Sequence, residues 1–347
     1  MKKTLLTICL TWMCFSLSAQ KIIDLSGKWS FSIDRQDNGE KEKWFSHTLN
    51  DCINLPGSMP EKLKGDEVTA KTQWTGSLYD SSYYYNPYME KYRKEGNIKF
   101  PFFLTPDKHY VGAAWYQKEV NIPADWKGER ILLFLERPHI ETTVWVNGQK
   151  TGMQNSLCVP HQYDITRYVR PGKCTITIRV DNRIKEINVG PDSHSITDQT
   201  QGNWNGIVGR ICLQTTPKTY FDDIQIYPEP EQKLARVKVV IKGTGTAKVK
   251  LSAESFNTDK KHIVPAIQQE IKLNKGVTET EMVLPMGNDM LLWDEFHPAL
   301  YKLKAEVTNG KKTEIKEIQF GMRRFEIKGK WFYVNGRKTQ LRGTVEN

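Results

Sequence analysis

From Leu25 onward, apolar and polar residues alternate with a period of two in one stretch after another. LSGKWSFSI (Leu25 to Ile33), AWYQKEVNI (Ala114 to Ile122) and RILLFLE (Arg130 to Glu136) do so. TTVWVN (Thr142 to Asn147), TITIRV (Thr175 to Val180) and IVGRICLQ (Ile207 to Gln214) follow the same rule. Successive side chains on a strand point to opposite faces, so this alternation predicts half-buried antiparallel strands. Long helical periodicity is nearly absent. Asn147-Gly148 sits between two such runs and demands backbone at positive φ, which predicts a tight hairpin. Many short strands with Gly and Pro turns confine the chain to an all-β fold, a sandwich or a jelly roll.

The pattern changes near TTPKTY (Thr215 to Tyr220). Beyond it Asp222 to Tyr227, Arg236 to Lys242, Ala247 to Ala253, Gln268 to Leu273, Thr278 to Leu284, Ala299 to Val307 and Thr313 to Phe320 read as strands. Seven short strands in about a hundred residues fit an immunoglobulin-like sandwich, without the Cys and Trp hallmarks of antibody domains. At 347 residues the chain has room for two domains and part of a third. The tail, Phe320 to Asn347, reads as a hairpin leading into a fresh buried strand, the opening of that third domain.

Composition narrows the function classes. Aromatic residues make up 11%, which supplies a large core and excludes a disordered chain. The net charge of +10 raises the question of nucleic acid, but Lys and Arg are spread along the chain among 40 acids, and no basic block forms. A solvated basic surface is the reading, with no nucleic-acid partner. Lys2 and Lys3, the apolar run Leu5 to Leu17 and Leu17-Ser18-Ala19 before Gln20 form a secretory signal, so the chain is expected to be exported, periplasmic or secreted. That run is too short to span a bilayer, and no membrane partner is expected. Removal of the signal takes Cys9 and Cys14 and leaves Cys52, Cys158, Cys174 and Cys212. Their spacing is not a zinc pattern. Buried free thiols are expected, with a Cys158 to Cys174 disulfide as the alternative. No phosphate loop, nucleophile elbow or cofactor fingerprint is present, so no cofactor is expected.

Two segments could carry function. Asn50 to Tyr110 holds Trp74, Tyr79, Tyr83, Tyr84, Tyr85, Tyr88 and Tyr92. These rings either close the open end of the sandwich by packing or form a platform for sugars, since an aromatic ring offers an apolar face with a polar handle. The second segment, DNRIKEINVGPDSHSITDQTQGNWNGIVGR (Asp181 to Arg210), is rich in Asp, Asn, Gln, Ser and Gly around one large ring, Trp204. It is either a solvated loop with side-chain turns or a surface presenting amides and carboxylates to hydroxyl groups. His194 could face such a pocket. His139, His161 and His297 show no metal-binding spacing.

Six motifs in order give a resemblance. VGAAWYQKEVNIP (Val111 to Pro123), ETTVWVNGQKTG (Glu141 to Gly152), PHQYDITRYVRPGKCTITIRVDN (Pro160 to Asn182) and GNWNGIVGRICL (Gly202 to Leu213) resemble the sugar-binding domain of glycoside hydrolase family 2. LLWDEFHPALYKLKAEV (Leu291 to Val307) resembles its sandwich domain, and FGMRRFEIKGKWFYVNGRKTQLRG (Phe320 to Gly343) the entry into its catalytic barrel. The resemblance, to the β-galactosidase and β-glucuronidase group, covers nearly all of the mature chain. It implies a galactose-binding-like jelly roll over 20–217, an immunoglobulin-like sandwich over 218–321 and the first strand of an incomplete TIM barrel in 322–347, after a signal at 1–19. It further implies that Asp198, with Asp192 as the alternative, reaches toward substrate, and that Trp204 and Asn205 flank it. The implied partner is a β-linked glycoside or oligosaccharide. The two catalytic glutamates of such an enzyme come from a barrel expected in a full-length parent, so no residue of this chain is assigned a catalytic role. The alternatives are a carbohydrate-binding protein without catalysis and a structural or adhesive sandwich protein.

Overall fold

The computed structural model describes residues 21–76, 81–102, 105–185, 190 and 192–344. The candidate signal with Cys9 and Cys14, and also Tyr79, Glu346 and Asn347, lie outside these residues. The chain divides into two units, Lys21–Thr216 and Pro217–Gly343.

The strands of the first unit are, in chain order, β1 (Ile22–Asp24), β2 (Gly27–Asp34), β3 (Asp51–Leu55), β4 (Gly57–Ser58), β5 (Asp66–Glu67), β6 (Lys108–His109) and β7 (Ala113–Ile122). They continue as β8 (Arg130–His139), β9 (Glu141–Val146), β10 (Gln149–Asn155), β11 (His161–Asp164), β12 (Gly172–Asp181) and β13 (Gly206–Thr216). Six of them form one sheet in the order β10-β9-β12-β7-β2-β3, and the facing sheet runs β1-β13-β8-β11, with β4 added beside β13. Every pairing is antiparallel. Trp29, Phe31, Tyr116, Leu133, Val144 and Ile178 fill the space between the sheets, as the alternating pattern requires. Asn147 and Gly148 have φ of 50° and 77° and turn β9 into β10, the predicted hairpin.

One prediction of half-burial fails. All six residues of β9 are buried. Val144 and Val146 face the core, while Trp145 packs on the outer face beneath a third layer. There Trp145 stacks on Trp115 at 4.9 Å and on Phe45 at 5.2 Å, and Trp44 lies 6.1 Å from Trp115. The segment between β2 and β3 supplies that layer.

In the second unit β14 (Tyr220–Glu229) is followed by two strands of 23 residues, β15 (Leu234–Phe256) and β16 (Ile263–Pro285), then β17 (Leu300–Asn309) and β18 (Lys312–Phe320). The four runs predicted between Arg236 and Leu284 are therefore two continuous strands. β15 pairs β14 with its first part, Leu234 to Lys242, and β17 with its last, Lys248 to Phe256, so it passes from one partner to the other. The passage occurs where the register with β16 shifts between Gly243 and Gly245. Gly245 stands at φ 84°, and a Cβ at Gly243 would meet Thr219 Oγ1 at 2.6 Å. Glycine thus bends the strand without ending it. Phe221, Val237, Leu251, Tyr301 and Leu303 lie in a separate core.

After β18 come β19 (Phe325–Lys328), β20 (Trp331–Val334) and β21 (Arg337–Thr339), a three-stranded meander. The predicted hairpin is β19–β20. The strand expected to follow it as a buried one is different: Arg337 and Lys338 are exposed, and 340–344 are exposed and irregular. A barrel strand is buried by strands on both sides and by covering helices, and among the described residues β21 pairs with β20 alone.

The four cysteines are free: Cys174 and Cys212 are buried, Cys52 and Cys158 exposed. Cys52 departs from the expected burial because Ile53 and Leu55 take the inward positions of β3. No helix among the described residues is long and apolar enough to cross a membrane.

Candidate functional site

Strand register gathers the polar segments at one end of the first unit. Asp181, the last residue of β12, pairs with Ala113 at the start of β7 and with Glu141 at the start of β9. Gly206, the first residue of β13, pairs with His139 and Ser58. The loops leading to 113, away from 181 and into 206 therefore emerge together. At Gly206 the backbones come so close that a Cβ would meet Gly57 O at 2.5 Å, and φ is 147°. Only glycine fits there.

Four buried polar side chains tie these loops together. Asn182 accepts from Gly112 N at 2.8 Å and donates to Tyr110 O at 2.9 Å. Asn205 accepts from the Tyr116 hydroxyl at 2.8 Å and donates to Gly112 O and Val180 O at 2.9 and 3.0 Å. Asn203 donates to Thr75 Oγ1 and Asn182 O at 2.8 and 3.0 Å, and its own Oδ1 is buried with no hydrogen bond. Asp198, only 4% exposed, accepts from Thr75 N at 2.7 Å and Asn203 N at 2.8 Å. It thereby clasps the loop after β12 to the loop before β6. Burial raises the Asp198 carboxyl above its ordinary value, against the pull of those two amides.

Trp204 lies between Asn203 and Asn205, half-buried, and its ring stacks on His139 at 4.5 Å with 21° between planes. His139 Nδ1 donates to Trp204 O at 2.7 Å. Burial lowers the His139 imidazole to about 4, so at neutral pH it is an uncharged ring that supports the indole. The start of the loop is fixed by charge. The wholly buried Asp181 carboxylate accepts from Arg179 at 3.0 Å, Arg183 at 2.6 Å and Lys185 at 2.9 Å. Burial pushes its carboxyl up, and the hydrogen bonds from Arg183 and Lys185 outweigh that and hold it well below the carboxylate range.

The structure thus brings Asp198, Trp204 and Asn205 together and gives them different positions. Asn205 is 1% exposed with both side-chain ends engaged, Asp198 is turned into the loop network, and Trp204 is the one with an open surface. His194 and Asp192 are exposed on the same loop, and His194 O accepts from Thr200 Oγ1 at 2.9 Å. Asn182, Asn203, Thr75 and His139 were not singled out from sequence as members of this site. The amides on both sides of Trp204 in G-N-W-N-G were the available signal for Asn203. The aromatic segment divides: Tyr83 is buried and stacks on Phe100 at 4.7 Å, whereas Tyr84, Tyr85 and Tyr88 are exposed. Among the described residues no group of three or more His, Cys, Asp or Glu is placed to hold a metal ion.

The half-buried Trp204 indole, with the exposed His194 and Asp192 on the same loop, is of the kind that meets the C–H faces and hydroxyl groups of a sugar. Comparison with known proteins agrees in kind. Residues 22–217 match the sugar binding domain of glycosyl hydrolases family 2, and residues 219–323 match a second domain of glycosyl hydrolases family 2. A β-glucuronidase of Paenibacillus borealis is 24% identical over 344 residues, covering 93% of this chain and 49% of the relative. A β-galactosidase of Oenococcus oeni is 23% identical over 343 residues, covering 94% of this chain and 30% of the relative. The structure of a Ruminococcus gnavus β-glucuronidase in complex with D-glucuronic acid aligns with TM-score 0.62 at 19% identity, over 94% of this chain and 50% of that one. The chain spans half or less of the length of these relatives.

Proposed function

The chain belongs to glycosyl hydrolase family 2, and from that premise we propose that it forms the non-catalytic, substrate-flanking portion of an exported hydrolase of β-glycosides. The observation that carries the reading is the convergence of three loops at one end of the first unit, tied to one another by Asp198, Asn203 and Asn205, with Trp204 stacked on His139 between the two asparagines. In this reading Trp204 stacks on a sugar ring, His194 and Asp192 line the rim, Asp198 and Asn205 hold the loops that carry the indole, and His139 backs the ring itself. Galactosides and glucuronides are the proposed substrates, because relatives carrying those names match nearly the whole chain. The Lys2 to Ala19 pattern supports export. Hydrolysis with retention needs two carboxyl groups about 5–5.5 Å apart across the glycosidic bond, held by a rigid scaffold. In this family they belong to a barrel, and the described residues form two sandwiches and a meander.

The test uses the purified 347-residue chain with 4-nitrophenyl β-galactoside and β-glucuronide. The expected result is no release of nitrophenol, with weak saturable binding of one of the two glycosides that Trp204→Ala abolishes. Turnover that survives rigorous purification, or glycoside binding indifferent to Trp204→Ala, contradicts the proposal.

A further inference from the structure

A cleft of about 930 Å³ lies beside the aromatic segment, lined by residues 67–70 and by others within 93–102 and 105–107. Its volume is at the upper end of the range for ligand pockets, roughly 300–1,000 Å³, and exceeds what a single sugar ring fills. The buried Phe100 and half-buried Phe102 are among its apolar lining and serve as its floor here. They stack on each other at 5.6 Å, Phe100 stacks on Tyr83 at 4.7 Å, and the Trp74 ring stands edge-on to both at 4.8 and 5.0 Å. A floor braced this way is rigid before any ligand arrives, which lowers the ordering cost of binding.

The walls are polar and partly unspent. Glu67 is neutralised by Lys108, and Arg93 donates to Tyr83 O. Glu95, Lys99 and Asp107 are exposed at the cleft and carry no side-chain hydrogen bond or ion pair among the described residues. Apart from the Glu67–Lys108 pair, two acids then face two bases, Glu95 and Asp107 against Lys99 and Arg93. A site with balanced charge gives no net attraction to an anionic chain. The Glu95 and Asp107 carboxylates can accept from vicinal hydroxyls and Lys99, whose Nζ lies 6.0 Å over the Tyr92 ring, can donate to one, while the half-buried Phe102 ring takes C–H faces. We propose that this cleft is a second carbohydrate-binding subsite that takes a neutral oligosaccharide. It shares no lining residue with the Trp204 site and does not depend on the glycosidase reading.

Calorimetric titration of the purified chain with cellohexaose, xylohexaose and a galacturonic acid hexamer tests it. At least one neutral hexamer binds, and the charged one binds more weakly. The double variant Glu95→Ala/Asp107→Ala, altered only at exposed positions, weakens neutral binding about tenfold, as expected for the loss of two hydrogen-bonding carboxylates. Phe102→Ala, checked for retained fold by circular dichroism, weakens it further. Trp204→Ala changes it less than about twofold, as expected for a site that does not touch the ligand. No heat from either neutral hexamer at 10 mM, tighter binding of the uronate, or loss with Trp204→Ala but not with the Glu95/Asp107 variant would each overturn the proposal. The last of these outcomes would leave the Trp204 reading standing.

Discussion

His139 is neutral in the folded protein because its burial disfavours the charged imidazolium, which lowers it from its ordinary 6.5 to about 4. In the unfolded chain it takes up a proton as pH falls through 6.5, while the folded protein resists until about 4. Between those values the unfolded state binds more protons, so stability rises with pH and is lost as pH falls. The contribution is at most on the order of 3 kcal/mol. His161, wholly buried and also lowered by burial, acts with the same sign. Urea unfolding between pH 7 and pH 4.5 is therefore expected to show falling stability. His139→Gln, although weaker overall from the lost stack on Trp204, is expected to show a shallower slope. An unchanged slope would mean that the imidazole is solvated. At this scale the site was half legible. Asp198 and Trp204 stand out by type and position, but whether an amide in a polar loop is buried depends on partners such as Gly112 and Val180, 93 and 25 residues away from Asn205.

Among elements, β9 is the most instructive. Its sequence ETTVWV reads as a strand with one wet face, yet Trp145 is 2% exposed beneath Phe45 and beside Trp115. Trp145→Ala is therefore expected to cost about 3–5 kcal/mol, the range for deleting a large buried ring, rather than the few tenths usual for an exposed strand position. Equilibrium denaturation measures this directly, and a loss under about 1 kcal/mol would mean that the covering layer is not formed in solution. The class of the fold was legible because period-two alternation is a local property that survives in almost every strand. What covers a strand's outer face is not local, and Trp44 and Phe45 reach it from a segment with no strand pattern of its own. The long strands β15 and β16 were missed for a related reason. Gly243-Thr244-Gly245 looks like a turn in sequence, and it becomes a bend only because β16 shifts register at the same level.

For the whole molecule the decisive fact is that, among the described residues, the main hydrophobic core of each unit shares no residue with that of the other. One lies in Lys21–Thr216 and the other in Pro217–Gly343. A unit with its own core is able to unfold cooperatively on its own. Two thermal transitions are expected by calorimetry, each assignable by a variant that removes packing from one unit only. Trp145→Ala lowers the transition of the first unit. Tyr301→Ala lowers that of the second, because Tyr301 is fully buried and its hydroxyl bonds to Leu291 N at 2.8 Å and His262 Nδ1 at 2.6 Å. The truncation removes a large ring and leaves the Leu291 amide without its partner, a loss of about 3–5 kcal/mol. Each variant should leave the other transition within about 1 °C of its original midpoint, since each unit carries a core of its own. If both variants instead lower one common transition, the two cores unfold as a single cooperative body and the division into independent units fails.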